Sequence, residues 1–245
     1  MTQLKSPQNS TVNLNADKAD ELNSRVSPWL SKILYPLGCY LVIPGFFGKI
    51  EISGQENIPL KEPVIVAPTH RSRWDAFIVP YAVGRLVSGR DLRFMVSANE
   101  VKGIQGWVIR RMGGFPVDTD RPQMSSVRHS VELLKLNQEM LVIFPEGGIF
   151  NDYKIHPLKR GVASIALQAE TQVETQAETD KSERGVKILP VGIRYSQPYP
   201  TWGTDVRVDI GSPLAVGEYY EKSLRQSSQK LTQALQESLE KLYAS

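Results

Sequence analysis

The 245-residue sequence has a single cysteine, Cys39, which excludes an intrachain disulfide and any cysteine-rich metal site. It lies in an apolar run, where cysteine behaves as a small hydrophobe. Histidine is almost as scarce. His70, His129 and His156 are the whole set and form no His-Glu-x-x-His pair, so neither zinc nor any other metal is expected. No Walker loop, Gly-x-Gly-x-x-Gly or Gly-x-Ser-x-Gly occurs, which argues against NTPases, dinucleotide enzymes and serine hydrolases. A long uninterrupted apolar run is missing too. The best, Ile33 to Ile50, carries only Lys49 as a charge but is short for a membrane span and broken by Pro36 and Pro44.

What is present suits a folded α/β domain with an appendage. Hydrophobic residues make up 41% of the chain, enough for a substantial core. A net charge of +3 is too small to argue for nucleic acid, so its distribution matters more. Between His70 and Arg128, ten Arg or Lys stand against five Asp or Glu. That bias suits an anionic lipid surface, a phosphate-bearing substrate or an acidic carrier protein, with a solvated basic face as the alternative.

Three parts are expected. Residues 1–27 are polar, rich in Asn, Ser, Gln and Asp, and read as a disordered arm rather than a signal peptide. Residues 28–50 read as a membrane-associating segment, interfacial or re-entrant, with a helix buried against the domain as the alternative. Trp29, Tyr35, Tyr40, Phe46 and Phe47 suit a membrane interface, flanked by Lys32 and Lys49. Residues 51–245 form the domain. Strands are expected at Val64–Ala67, Leu92–Ala98, Phe115–Val117, Met140–Phe144, Val186–Ile193 and Val206–Ile210. They alternate with helices from near Arg73, at Gly103–Met112, from Pro122 and from about Glu218, which predicts a mixed, largely parallel sheet flanked by helices. Within residues 169–184, the acidic repeat Ala-Glu-Thr-Gln, Val-Glu-Thr-Gln, Ala-Glu-Thr-Asp lacks a core-forming face and reads as a surface insertion.

Two motifs concentrate the chemistry. His70-Arg71-Ser72-Arg73-Trp74-Asp75 follows the first domain strand, and an imidazole near a carboxylate can serve as an oriented general base. Ser72, three residues before Asp75, also suggests a capping box, so Asp75 has a structural reading compatible with the catalytic one, and Ser72 reads as a cap rather than a nucleophile. Phe144-Pro145-Glu146-Gly147-Gly148 follows an apolar strand and places a carboxylate on the adjoining strand-to-loop edge. Together the motifs suggest acyl transfer to a hydroxyl. In this order, with Lys159-Arg160-Gly161 and Leu189-Pro190-Val191 downstream, they resemble the glycerolipid acyltransferase family over roughly residues 50–215.

The resemblance implies a glycerol-3-phosphate acyltransferase-like fold. It also implies transfer of a fatty acyl group to the free hydroxyl of 1-acylglycerol 3-phosphate in phospholipid synthesis, at the cytoplasmic face of the inner membrane. The donor would be acyl carrier protein or coenzyme A thioester, a substrate rather than a cofactor. The roles of base and supporting carboxylate fall on His70 and Asp75, and ordering of the acceptor or its loop on Glu146 and Gly147. Phosphate recognition departs from the family pattern. Phe-Pro-Glu-Gly continues with Gly148-Ile149 where the family has Thr-Arg, and the arginine of the family's Phe-Ile-x-Arg block is displaced by two in Val117-Asp118-Thr119-Asp120-Arg121. Lys159 and Arg121 are left as cations for the acceptor phosphate. Arg71 and Arg160 are secondary candidates, read first as surface charges. Three alternatives stand beside this reading: a glycerol-3-phosphate or other lysolipid acceptor, a thioester hydrolase in which His70 activates water, and a non-catalytic lipid-binding module.

Overall fold

The computed structural model describes residues 26–118, 124–176 and 185–244. The strands are β1 (Ile50–Ser53), β2 (Val64–Pro68), β3 (Asp91–Ser97), β4 (Gly114–Val117), β5 (Glu139–Val142), β6 (Lys187–Tyr195), β7 (Val206–Ile210) and β8 (Leu214–Ala215). They form one sheet in the order β1-β7-β6-β2-β5-β3-β4, with β8 added to β6. From β6 to β4 every pairing is parallel; β7 runs antiparallel to β6 and carries β1 parallel to itself. The fold is therefore mixed α/β with a mostly parallel sheet, as the alternating pattern predicts.

β2, Val-Ile-Val-Ala-Pro, is buried at every position, and a strand apolar on both faces needs helices above and below. Its alternate side chains enter two cores. Ile65 and Ala67 pack with α6 (Met124–Leu136), α7 (Gly161–Gln176) and α8 (Leu224–Ala244); Val64 and Val66 pack with α3 (Asp75–Val83) and with Ile43 and Phe47. The short helices α4 (Arg85–Ser88) and α5 (Gly103–Arg111) complete the layers, and Gly113, at φ 94°, turns the chain out of α5 into β4.

Three expectations change. The final helix begins at Leu224, not near Glu218, because the Ser223 hydroxyl accepts the Gln226 N–H at 3.3 Å and caps it there; Val216–Tyr219 is a separate 3₁₀ turn. The acidic repeat is not wholly a surface insertion. Its first part continues α7, with Ala169 and Glu170 buried and the Glu170 carboxylate accepting the Val186 N–H. Residues 177–184 lie outside the described set, as do residues 1–25, which hold nearly all of the polar arm, and Pro122. β1 was not expected, since it follows directly on the apolar run.

That run is helical: α1 (Pro28–Leu37), a π turn at Gly38–Val42 and α2 (Ile43–Phe46) follow one another without a gap. The wider π turn lies just after Pro36, which has no N–H to give. Cys39, Ile43 and Phe47 face the domain, whereas Trp29, Ile33, Leu37, Tyr40 and Leu41 are exposed. No helix among the described residues is long and apolar enough to cross a membrane.

Candidate active site

The parallel neighbours β2 and β5 end side by side, so the loops that leave them share one edge of the sheet, where open α/β folds place their ligands. His70 stands on the first loop and Glu146 on the second, and the Phe150 N–H binds the His70 carbonyl at 2.9 Å, tying the two together.

Asp75, fully buried at the start of α3, receives four donors among the described residues. Its Oδ2 accepts the His70 Nδ1–H at 2.9 Å and the backbone N–H groups of Arg71 at 2.6 Å and Ser72 at 2.8 Å; its Oδ1 accepts the Tyr195 hydroxyl at 2.6 Å. The Ser72 bond is one half of a capping box. In place of the other half, the Ser72 hydroxyl accepts from Trp74 N–H, at 3.2 Å, so the capping and catalytic readings of Asp75 meet in one carboxylate. An ionised carboxylate only accepts, which puts the imidazole proton on Nδ1 and leaves the Nε2 lone pair free. The His70 ring stacks on Phe144, 3.9 Å between centroids with 19° between planes, and among the described residues Nε2 has no partner. Carboxylate and aromatic plane thus fix the ring, with its side chain 19% exposed.

Glu146 is equally enclosed. Its Oε1 accepts the His70 N–H at 3.2 Å and Arg71 Nη1 at 2.9 Å, and its Oε2 accepts Arg71 Nη1 at 3.1 Å and the His156 N–H at 3.0 Å. Both oxygens are engaged by the protein, a geometry that suits ordering the loops better than contacting an acceptor. Arg71, read from sequence as a surface charge, is buried. Besides Glu146 it donates from Nε to the Tyr243 hydroxyl at 2.7 Å and from Nη2 to the Lys154 carbonyl at 2.9 Å. Burial works against its charge, but Tyr243 and Glu146 outweigh that and hold its pKa above the ordinary arginine value. Burial raises both phenols, Tyr195 further through the Asp75 charge and Tyr243 despite hydrogen bonding to Thr69 and Arg71, so both stay protonated as donors.

Gly147 has φ 70°, and a β-carbon there would lie 2.5 Å from Lys159 Cε and 2.8 Å from its Nζ. The Lys159 chain therefore lies across this glycine, anchored by its backbone N–H to the Pro145 carbonyl at 2.8 Å. It is exposed, and among the described residues its ammonium has no partner. Arg121 lies outside the described residues. The structure thus brings His70, Asp75, Glu146, Gly147 and Lys159 to one sheet edge. Sequence reasoning missed Tyr195 and Tyr243, for which no local spacing gives a signal; both come from segments more than 100 residues downstream.

A family model described as Acyltransferase matches residues 49–194. The chain is 28% identical over 180 residues to 1-acyl-sn-glycerol-3-phosphate acyltransferase of Streptococcus pneumoniae, a match spanning 70% of this chain but only 58% of that protein. It is 25% identical over 203 residues to the Bacillus subtilis protein of the same name, covering 82% of this chain and 92% of the relative. The crystal structure of the 1-acyl-sn-glycerophosphate acyltransferase PlsC from Thermotoga maritima shares the fold, with a TM-score of 0.57 at 20% identity over 87% of this chain and 76% of that one. Matched over more than half its length and carrying an oriented histidine–aspartate pair at the expected sheet edge, the chain belongs to the Acyltransferase family.

Proposed function

We propose that this protein moves a fatty acyl group from a thioester of acyl carrier protein or coenzyme A to the free hydroxyl of 1-acylglycerol 3-phosphate, with His70 as general base. One observation carries this reading: an imidazole held by a buried carboxylate through Nδ1, whose Nε2 has no protein partner among the described residues. In a hydrolase triad that nitrogen would face an enzyme serine; here the acceptor hydroxyl takes that place. Nε2 removes the hydroxyl proton as the oxygen bonds to the thioester carbon. The tetrahedral intermediate then collapses with cleavage of the C–S bond, and the imidazolium returns its proton to the leaving thiolate. Ester and thiol form, and the enzyme is unchanged. Asp75 stabilises the imidazolium between the two steps.

Glu146 and Arg71 brace the loops on either side of the base. Lys159, exposed and with no partner for its ammonium among the described residues, is the cation for the acceptor phosphate in place of the absent Thr-Arg pair. The exposed stripe of Trp29, Ile33, Leu37, Tyr40 and Leu41 serves as an interfacial anchor on the cytoplasmic face of a membrane. The purified protein would be given each acyl donor with a panel of acceptors, products being resolved by mass. Acylated lysophosphatidate, lost in His70→Ala, supports the proposal. Free fatty acid formed without acceptor indicates a hydrolase, and ligand binding without turnover a lipid-binding module. In Lys159→Ala, loss of one charge-assisted contact of about 1.5 to 3 kcal/mol weakens lysophosphatidate use about 10- to 150-fold, with donor affinity little changed.

A further inference from the structure

Asp75 is fully buried, and its two oxygens are served differently. Among the described residues Oδ2 has three N–H donors, all from the loop that leads into α3, while Oδ1 has one, the Tyr195 hydroxyl at 2.6 Å, delivered from the end of β6. The Tyr195 ring stacks on Phe47 at 5.9 Å, and Phe47 meets the Trp74 ring edge-on at 5.4 Å, beside Asp75 itself. These ring contacts, with its place on β6, oppose movement of the phenol with the carboxylate if the latter turns. We propose that Tyr195 is a positioning residue for acyl transfer, whose hydroxyl locks the Asp75 carboxylate in the rotation that keeps Oδ2 on His70 Nδ1 and sets how strongly the pair holds a proton.

Rotation of the carboxylate would break the His70 bond, and the Oδ1 bond to the packed Tyr195 phenol opposes it. The same bond spreads the carboxylate charge. Without it the charge concentrates on Oδ2, pulls harder on the imidazolium and makes His70 easier to protonate, so the free base is lost at higher pH. Other ionisable groups around the pair are Arg71 and Glu146, which hold each other, and Tyr243 on α8; a change at Tyr195 leaves all three in place. The inference rests on the reading of His70 as base.

The experiment compares Tyr195→Phe, which keeps the ring, with wild type, Asp75→Asn, the Tyr195→Phe/Asp75→Asn double variant and His70→Ala, recording kcat and KM against pH. Loss of one hydrogen bond to a charged group corresponds to about a 10- to 150-fold fall in kcat for Tyr195→Phe. The acid limb of the profile should move up by about one pH unit, with acceptor KM little changed. The double variant should be no slower than Asp75→Asn, because the phenol acts through that carboxylate. Where Tyr195→Phe proves unstable, this last comparison, made at a temperature at which all variants are folded, still decides. An unmoved acid limb, or additive losses in the double variant, reduces Tyr195 to a scaffold residue and overturns the inference while the role of His70 stands. Full activity in His70→Ala overturns both.

Discussion

Replacing Arg71 with Met tests whether the buried Arg71–Glu146 pair holds the two site loops together. The guanidinium makes both of its ion-pair bonds to Glu146, at 2.9 and 3.1 Å, and one bond each to Tyr243 and the Lys154 carbonyl. Methionine fills much of the volume but makes none of them. Among the described residues Glu146 then keeps only the backbone N–H groups of His70, at 3.2 Å, and His156, at 3.0 Å, with no cation beside its buried carboxylate. Breaking a buried pair from one side costs about 3 to 5 kcal/mol, mostly through the charge left uncompensated. For a chain of this size each kcal/mol lowers the melting temperature by about 2 to 4 °C, so Arg71→Met should melt roughly 6 to 20 °C below wild type. The double variant Arg71→Met/Glu146→Gln removes both charges and should recover about 1 to 3 kcal/mol of that loss. Thermal and chemical unfolding of the four proteins would measure it. If Arg71→Met stays within about 1 kcal/mol of wild type, or the two single losses simply add, the pair is not a brace.

Asp75→Asn can keep its oxygen on the three N–H donors and turn its amide toward the Tyr195 oxygen, so it should fold while turning over about 10²- to 10⁴-fold more slowly; near-normal turnover would remove Asp75 from the chemistry. Gly147→Ala forces a side chain into φ 70° against Lys159, which should cost about 1 to 2 kcal/mol and raise the acceptor KM; an unchanged KM would separate Lys159 from acceptor binding. His129, its Nε2 buried without a partner among the described residues, has its pKa held below 6.5 by burial first and by Arg93 second. Its contribution to stability is therefore complete above the ordinary histidine value and drains away as pH falls below it, so His129→Phe should flatten the decline in stability from pH 7 to 5, and a decline as steep as wild type's would count against it. The triple change Trp29→Ser, Tyr40→Ser, Leu41→Ser should reduce flotation with anionic vesicles, and undiminished flotation would move the anchor elsewhere.

Legibility in the sequence follows the distance over which each feature is decided. β7 occupies the expected Val206–Ile210, because alternating apolar residues between turn-forming neighbours specify a strand locally. The His70–Asp75 pair is equally local, both residues lying within one loop and helix start. β1 has only two apolar residues and exists because β7 offers it an edge, which spacing along the chain does not reveal. Glu170 looks like a solvated repeat residue until the Val186 N–H arrives to satisfy it. Arg71 carries no sign of burial in its neighbours, since its enclosure comes from the Glu146 loop and from Tyr243, 172 residues on. Tyr195 reaches Asp75 across 120 residues. Spacing therefore points to His70 and its carboxylate partner, while the groups that hold them in place are supplied by tertiary packing.

The Tyr243 hydroxyl, which takes the Arg71 Nε–H and lies 3.3 Å from the Thr69 hydroxyl, stands in the last turn of α8. Helix ends open far more often than the sheet they rest on. Each opening withdraws a strut from the loop that bears His70 while the strands beneath stay paired. Catalysis should then be the first property that gentle warming removes, and it should return on cooling. Amide exchange would be fast in the closing turn of α8 and slow in β2 and β5, with turnover following the helix end rather than the sheet.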